Sequence, residues 1–444
     1  MQSLLFLIVT LAIIVVVHEY GHFWVARRCG VKVLKFSVGF GKPLWRRMGK
    51  DGTEYILAAI PLGGYVKMLD EREGEVAPEE LDKAFNRKSL GARVAIVAAG
   101  PIANLLFAVL AYWFLFVLGV PGMRSIVGEV TPDSPAANAQ IVSGDEITSV
   151  NGHQTATWSS VYRELARTVE TGGVADITVD MGGSDVHRQL SITKSDLSIS
   201  VLQYVGLSPI RIALEPIIAS VIAGGVADRA GLHAGDLIVA VDGTVIVDWR
   251  EFVAIVQKSA NTPLSVDIRR DLRAMTLVIT PESGRSQQQG KIGVTLDSSQ
   301  ASIPAELRAV EKYGVGAAVY RACYETWAFS TSTLKSLAGM LTGSVSSENI
   351  GGPITIAQFA GASADRGILS FINFLAMISI SLGILNLLPI PILDGGHLAL
   401  YLIEWLRGSP LSESVQMQGQ KVGIILLLML MFLAFFNDLT RLFG

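Results

Sequence analysis

His18-Glu19-Tyr20-Gly21-His22 holds the most chemically suggestive pattern in the chain. On a helix, residues four apart share a face, so His18 and His22 offer two imidazoles to one metal while Glu19 stands beside it. Two ligands and a base come from five residues. The preceding run, residues 4–17, has Thr10 as its one polar residue, and apolar character resumes at Phe23, Trp24, Val25 and Ala26. That stretch is long enough to span a bilayer. Ionisable side chains inside a span are costly and mark function, here with a metal as the compensating partner. The competing reading is a helix end whose histidines and glutamate sit among headgroups, with Arg27 and Arg28 as interfacial anchors. A third ligand decides between them.

That ligand must come from far along the chain. Asn386-Leu387-Leu388-Pro389-Ile390-Pro391-Ile392-Leu393-Asp394-Gly395-Gly396-His397 supplies an aspartate in an apolar segment broken by proline and glycine. A buried Asp394 needs a partner, and a zinc ion is a sufficient one. His397 competes three residues on, but the two glycines and the shorter reach from the break favour Asp394. Broken backbone at membrane depth is tolerated only where it lines a protein cavity, so Pro391 and its neighbours mark a substrate cleft.

The elements that position these residues follow from composition. Half of the 444 residues are hydrophobic and 17% are charged, which fits a membrane protein carrying soluble modules. No long basic run points to nucleic acid, and Cys29 and Cys323 are too few for a disulfide framework and read as packing residues. The first apolar segment lacks a basic n-region and reads as a retained helix rather than a signal peptide. Further uncharged stretches at 94–120, 368–388 and 422–436 bring the simplest count to four spans. Arg27, Arg28, Lys32, Lys35, Lys42, Arg46, Arg47 and Lys50 follow the first span, which assigns that side to the cytoplasm and the termini and long middle section to the outside.

Residues 33–68 alternate β-prone runs with Gly39, Gly41, Gly52, Gly63 and Gly64, and read as a small sheet or hairpins. A strand edge beside a buried metal site can hold an extended peptide. In the middle section, 134–152 overlays 225–243 at an offset of 91 residues: Ala136 falls on Ala227, Gly144-Asp145 on Gly235-Asp236, Ile147 on Ile238, Val150 on Val241 and Trp158 on Trp249. Two copies of one domain are expected, with His153, His187 and His233 on their surfaces and no share in the metal. Residues 304–341, with Arg308, Glu311, Lys312, Arg321 and Lys335, read as an amphipathic segment along the outer membrane surface.

The second copy, with Gly231-Leu232-His233-Ala234-Gly235-Asp236 and Val241-Asp242-Gly243, resembles the PDZ domains of bacterial envelope proteases. In the first copy Gln140-Ile141 replaces Gly231-Leu232, so a sizing or gating role fits it better than capture of peptide C-termini. The 18–22 and 386–395 motifs, Gly39-Phe40-Gly41, Pro61-Leu62-Gly63-Gly64-Tyr65-Val66 and Gly100-Pro101-Ile102-Ala103-Asn104 resemble the site-2 protease family of intramembrane metalloproteases, in its bacterial form with two tandem PDZ domains. The resemblance implies a polytopic α-helical membrane protein of about four transmembrane helices, with a membrane-associated β-rich region and two extracytoplasmic α+β PDZ domains. Its parts fall at 1–119 and 366–444 (the two halves of the catalytic core), 120–208 and 209–300 (the PDZ domains) and 301–365 (the juxtamembrane segment).

It further implies zinc held by His18, His22 and Asp394, Glu19 as the base, and Asn386 in contact with substrate. The implied location is the bacterial inner membrane, with the active site towards the cytoplasm and the PDZ domains in the periplasm. The implied partners are single-span membrane proteins, including an anti-sigma factor already trimmed outside and remnant signal peptides, besides the bilayer and peptide ligands of the PDZ domains. Two imidazoles and a carboxylate leave a fourth metal position for water, whose pKa falls towards roughly 7, and Glu19 takes its proton and returns it to the leaving amine. Asn104 either shares substrate contact with Asn386 or makes a helix-packing hydrogen bond. Two rivals remain at this point: a catalytically silent PDZ-bearing receptor whose structural zinc has a fourth protein ligand, His397, and a metal transporter.

Overall fold

The computed structural model describes residues 2–193, 200–283, 289–296, 303–343, 345–346, 350–409 and 411–443. The chain forms two compact units, Met1–Val120 with Lys312–Gly444, and Pro121–Glu311.

In the first unit, the uninterrupted apolar run folds as helix α1 (Gln2–Arg28), closed by Arg27 and Arg28, whose charges suit the carboxyl end of the helix dipole. A hairpin follows, β1 (Val33–Met48) and β2 (Glu54–Met68). Gly39, Gly41 and Gly63 have positive φ at its register shifts, and the ribbon folds back so that Leu57 pairs with both Trp45 and Val38. Phe36 and Tyr55 of the hairpin pack their rings against Phe23 of α1. Helix α2 (Leu90–Leu118) starts at a Ser89 cap and contains Pro101. It packs against α1 where small residues permit: a Cβ at Gly21 would lie 2.3 Å from the Ala99 carbonyl oxygen.

The second unit begins within β3 (Val120–Met123) and then repeats itself. The first copy runs β4 (Val127–Val130), α3 (Pro135–Asn138), β5 (Glu146–Val150), β6 (His153–Gln154), α4 (Trp158–Thr171), β7 (Gly173–Asp180), β8 (Asp185–Ile192), α5 (Val201–Val205) and β9 (Leu207–Pro209). The second runs β10 (Ile218–Val221), α6 (Val226–Arg229), β11 (Leu237–Val241), β12 (Thr244–Val245), α7 (Trp249–Lys258), β13 (Leu264–Arg270), β14 (Arg273–Ile279), β15 (Glu282–Ser283), β16 (Gly290–Lys291) and β17 (Val294–Leu296). Four-stranded sheets β6-β5-β7-β8 and β12-β11-β13-β14 correspond, as do the pairs β4-β9 and β10-β17. Each copy has its own core, Ile147, Val161, Leu165 and Ile177 in one and Ile238, Phe252, Val266 and Ile268 in the other. Strand β18 (Arg308–Glu311) pairs with β3.

The remainder returns to the first unit as α8 (Val315–Thr342), α9 (Pro353–Asp365), α10 (Ile368–Leu387), α11 (Asp394–Arg407) and α12 (Glu413–Phe443). Among the described residues four helices are long and apolar enough to cross a membrane: Gln2–Arg28, Leu90–Leu118, Ile368–Leu387 and Ser414–Arg441. The last is longer than the 422–436 read from hydropathy.

The segment expected to be amphipathic contains a strand and a helix. Residues 308–311 form β18, and α8 buries Ala318 and Ala322 among Ala108, Ala111, Tyr112, Leu115 and Phe116 of α2. Small side chains four apart let two helices approach closely, which hydropathy alone does not reveal. The expected 300/301 domain boundary lies outside the described residues. Cys323 is exposed on α8 rather than packed, and Cys29 is half-buried.

Candidate metal centre

One turn of α1 puts His18 and His22 side by side, both buried, with their Nε2 atoms 3.3 Å apart. Asp394 reaches them from the first turn of α11, its Oδ2 lying 3.2 Å from His18 Nε2 and 3.5 Å from His22 Nε2. The break between α10 and α11 makes this possible. Gly395 and Gly396 sit against the carbonyls of Leu387, Leu388 and Ile390, where a Cβ would come within 2.2 to 2.4 Å of oxygen. In the break, Ile392 is exposed with φ of 101°, a costly conformation for a β-branched residue that its surroundings must impose.

The donors fit a zinc ion. Bonds of about 2.0–2.1 Å in a tetrahedron set neighbouring ligand atoms roughly 3.3 Å apart, close to the spacing of these three. Asp394 Oδ2 is buried and accepts no well-formed hydrogen bond, although both imidazoles stand near it, as suits an atom whose lone pair has another use. His22 Nδ1 lies 2.8 Å from the Ile96 carbonyl oxygen, so Nδ1–H donates there and Nε2 presents its lone pair.

For Asn104 the sequence left two roles open, substrate contact beside Asn386 or a hydrogen bond between packed helices. It is fully buried, with its amide nitrogen 3.3 Å from His18 Nδ1, on the side of the imidazole opposite the nitrogen that faces Asp394. Its Oδ1 has no partner; with the amide oxygen and nitrogen exchanged, Oδ1 would accept the Nδ1–H of His18 as the Ile96 carbonyl does for His22. Asn386, in the last turn of α10, directs its amide nitrogen to within 3.4 Å of His18 Nε2. Pro391 lies in the break against α12, where a Cβ at Gly419 would touch its ring. His397 is not in the group of ligand atoms formed by His18, His22 and Asp394 among the described residues. His153, His187 and His233 are exposed in the second unit.

Glu19 is half-buried beside the pair, and β2 passes over it. A Cβ at Gly64 would lie 3.0 Å from Glu19 Cγ, which puts the strand close against the glutamate. Residues 64–66 pair with β1 through Val38, Ser37 and Phe36, leaving their outer edge without a strand among the described residues.

Gly64 and Gly100 were named from sequence only as parts of motifs, without a role at the metal, and the Ile96 carbonyl was not named at all. A Cβ at Gly100 would lie 2.3 Å from His22 Nε2 and 2.8 Å from His18 Cε1, so only glycine leaves room for both rings. The small residues Ala98, Ala99 and Gly100 within an apolar span were the available signal.

A buried pair of imidazoles, a carboxylate and an adjacent glutamate, set among membrane-length helices, define a membrane-embedded metalloprotease. The chain belongs to peptidase family M50, whose profile matches residues 6–430. It is 44% identical to a relative named regulator of sigma-E protease RseP from Salmonella typhimurium, over 98% of each chain. It is 44% identical to the protein of that name from Escherichia coli K12 and 41% identical to a putative zinc metalloprotease of Vibrio cholerae, again over 98% of each chain. The protein is a multi-pass membrane zinc metalloprotease.

Proposed function

We propose that the protein cleaves single-span membrane proteins within the bilayer, with His18, His22 and Asp394 as the zinc ligands and Glu19 as the proton carrier. The convergence of three donor atoms 3.2 to 3.5 Å apart beside Glu19 carries this reading. When bound, zinc supplies Lewis acidity to the scissile carbonyl and acidifies the attacking water. Glu19 accepts that water's proton and delivers it to the leaving amine. Ile96 and Asn104 hold the two imidazoles with Nε2 turned inward. Asn386 donates to the substrate backbone or to the developing oxyanion, and Pro391 lines the cleft at the helix break.

A scissile segment must be extended, because helical amides are shielded by their own hydrogen bonds. The outer edge of β2 at 64–66 receives it as an added strand. The likeness to proteins named regulators of sigma-E protease supports an anti-sigma factor, already trimmed outside, as substrate, together with remnant signal peptides. The basic residues after α1 support a cytoplasm-facing site in a bacterial inner membrane, with the repeats in the periplasm. Each repeat is assigned as a PDZ domain, and the pair as a size filter. His397 stands apart from the ligand atoms, which leaves the receptor reading without a fourth protein ligand.

The test is cleavage of a detergent-solubilised, outwardly trimmed single-span substrate by wild type and Glu19→Gln, with zinc content measured in both. Cleavage by wild type alone, with zinc retained in both, is the expected result. Equal cleavage by both proteins would remove Glu19 from the mechanism.

A further inference from the structure

Asp394 sits on a helix that is held from one side. α11 follows the break at 388–393, and Leu402, Ile403, Trp405 and Leu406 are exposed along it. Its near end is seated by Gly395 and Gly396. Ten residues after Asp394, Glu404 receives a two-pronged ion pair from Arg93 of α2, with Nη1 and Nη2 at 3.1 and 2.6 Å from its two oxygens. The Arg93 guanidinium also lies 5.0 Å from the centre of the Tyr401 ring, one turn earlier on α11, and its Nε donates to the Lys88 carbonyl at 3.3 Å. Both charged side chains are largely shielded, at 15% and 17% exposure, so the pair is less screened than a surface bridge.

Ten helical residues span about 15 Å, which puts this fork away from the reacting atoms. It nevertheless acts on the same frame. α2 carries Ile96, Gly100 and Asn104, which set both imidazoles, and the fork registers the aspartate-bearing helix on that helix. A slip of α11 by one residue moves Asp394 about 1.5 Å along its axis, enough to spoil the 3.2 to 3.5 Å spacing of the ligand atoms.

We propose that Arg93 and Glu404 are positioning residues that fix Asp394 against His18 and His22. The proposal rests on the assignment of those three residues as zinc ligands. The test uses the full-length protein in detergent, substituted with cobalt(II), and reads the visible bands of the metal and its affinity by chelator competition. Variants are Arg93→Lys, which keeps charge but not the fork, Glu404→Gln, and the exchange Arg93→Glu with Glu404→Arg.

Each single variant is expected to retain helix content, to weaken metal binding about 10-fold or more, as loss of support behind a ligand does, and to alter the cobalt bands. The exchange is expected to restore both readouts. Wild type and single variants with equal affinity and identical bands overturn the tether while leaving the ligand assignment standing. An exchange no better than the single variants also counts against it. Wild type that takes up no metal overturns the ligand assignment and the tether together.

Discussion

Gly100 shows how one missing methyl sets the reach of two others' chemistry. The imidazoles of His18 and His22 occupy the space a side chain would take. Gly100→Ala should therefore cut zinc content at limiting metal and reduce cleavage by roughly 10- to 100-fold, the range seen when support around a metal ligand is disturbed. Metal analysis beside a cleavage assay checks it, and normal values for both would show that α2 can yield without cost. His18, Glu19, His22 and Asp394 were legible as candidates because their chemistry lies in residue type, spacing and depth. The place of Asn104 was not, because sequence does not say which face of α2 meets α1. Its amide lies behind His18, so Asn104→Ala should weaken metal retention, whereas Asn386→Ala should lower turnover with zinc content unchanged. Zinc content and cleavage rate measured on both variants separate the two roles.

At the scale of elements, the long apolar helices were readable from length and hydropathy, and the hairpin from its glycines. In α8, Arg321 and Lys335 drew attention to a polar face, while the contact that Ala318 and Ala322 make with α2 was not legible from them. Helix α7 of the second repeat offers a test of local electrostatics. Asp248 caps it by accepting from the Arg250 N–H, and the Arg250 guanidinium beside it, with the backbone N–H of Leu214, holds its carboxyl down to about 2 against an ordinary 3.8. A depressed carboxyl stabilises the fold above its unfolded pKa, and that contribution drains away as pH falls from about 4 towards 2. Protection of the α7 amides, measured as hydrogen exchange relative to the intrinsic rate at each pH, should fall over that interval in wild type. Asp248→Asn keeps a capping oxygen but should flatten the dependence, while Asp248→Ala should open the helix at all pH values by about 1 kcal/mol. A wild-type profile as flat as that of Asp248→Asn would show that the ion pair contributes nothing to folding.

At the scale of the molecule, the membrane unit and the repeats are separate in the chain, since the second unit is one continuous insertion between α2 and α8. An insertion can be removed. If the repeats act as a size filter, deleting both should let the protein cut substrates whose outer domains are intact, while trimmed substrates are cut as before. Continued resistance of the untrimmed substrates, with trimmed ones still cleaved, would place the discrimination in the membrane unit. The existence of the repeat was legible because glycine and aspartate turn residues recur with the apolar ladder. Its boundaries were less so, because strands β9 and β17, which close the copies, are short and carry little pattern.

The two copies also stay in step. β4, α3, β5, β6, α4 and β7 each begin 91 residues before their counterparts β10, α6, β11, β12, α7 and β13, so no residue has been gained or lost between those starting points. A chain that jumps from any position there to its counterpart drops 91 residues yet still spells one full set of ladder partners. Splicing Val150 directly to Asp242, for instance, joins the first β5 to the second turn and leaves Ile147 facing the helix that normally covers Ile238. The insertion thus contains a family of hybrid single domains, all shorter by the same 91 residues and each with one copy of every ladder strand.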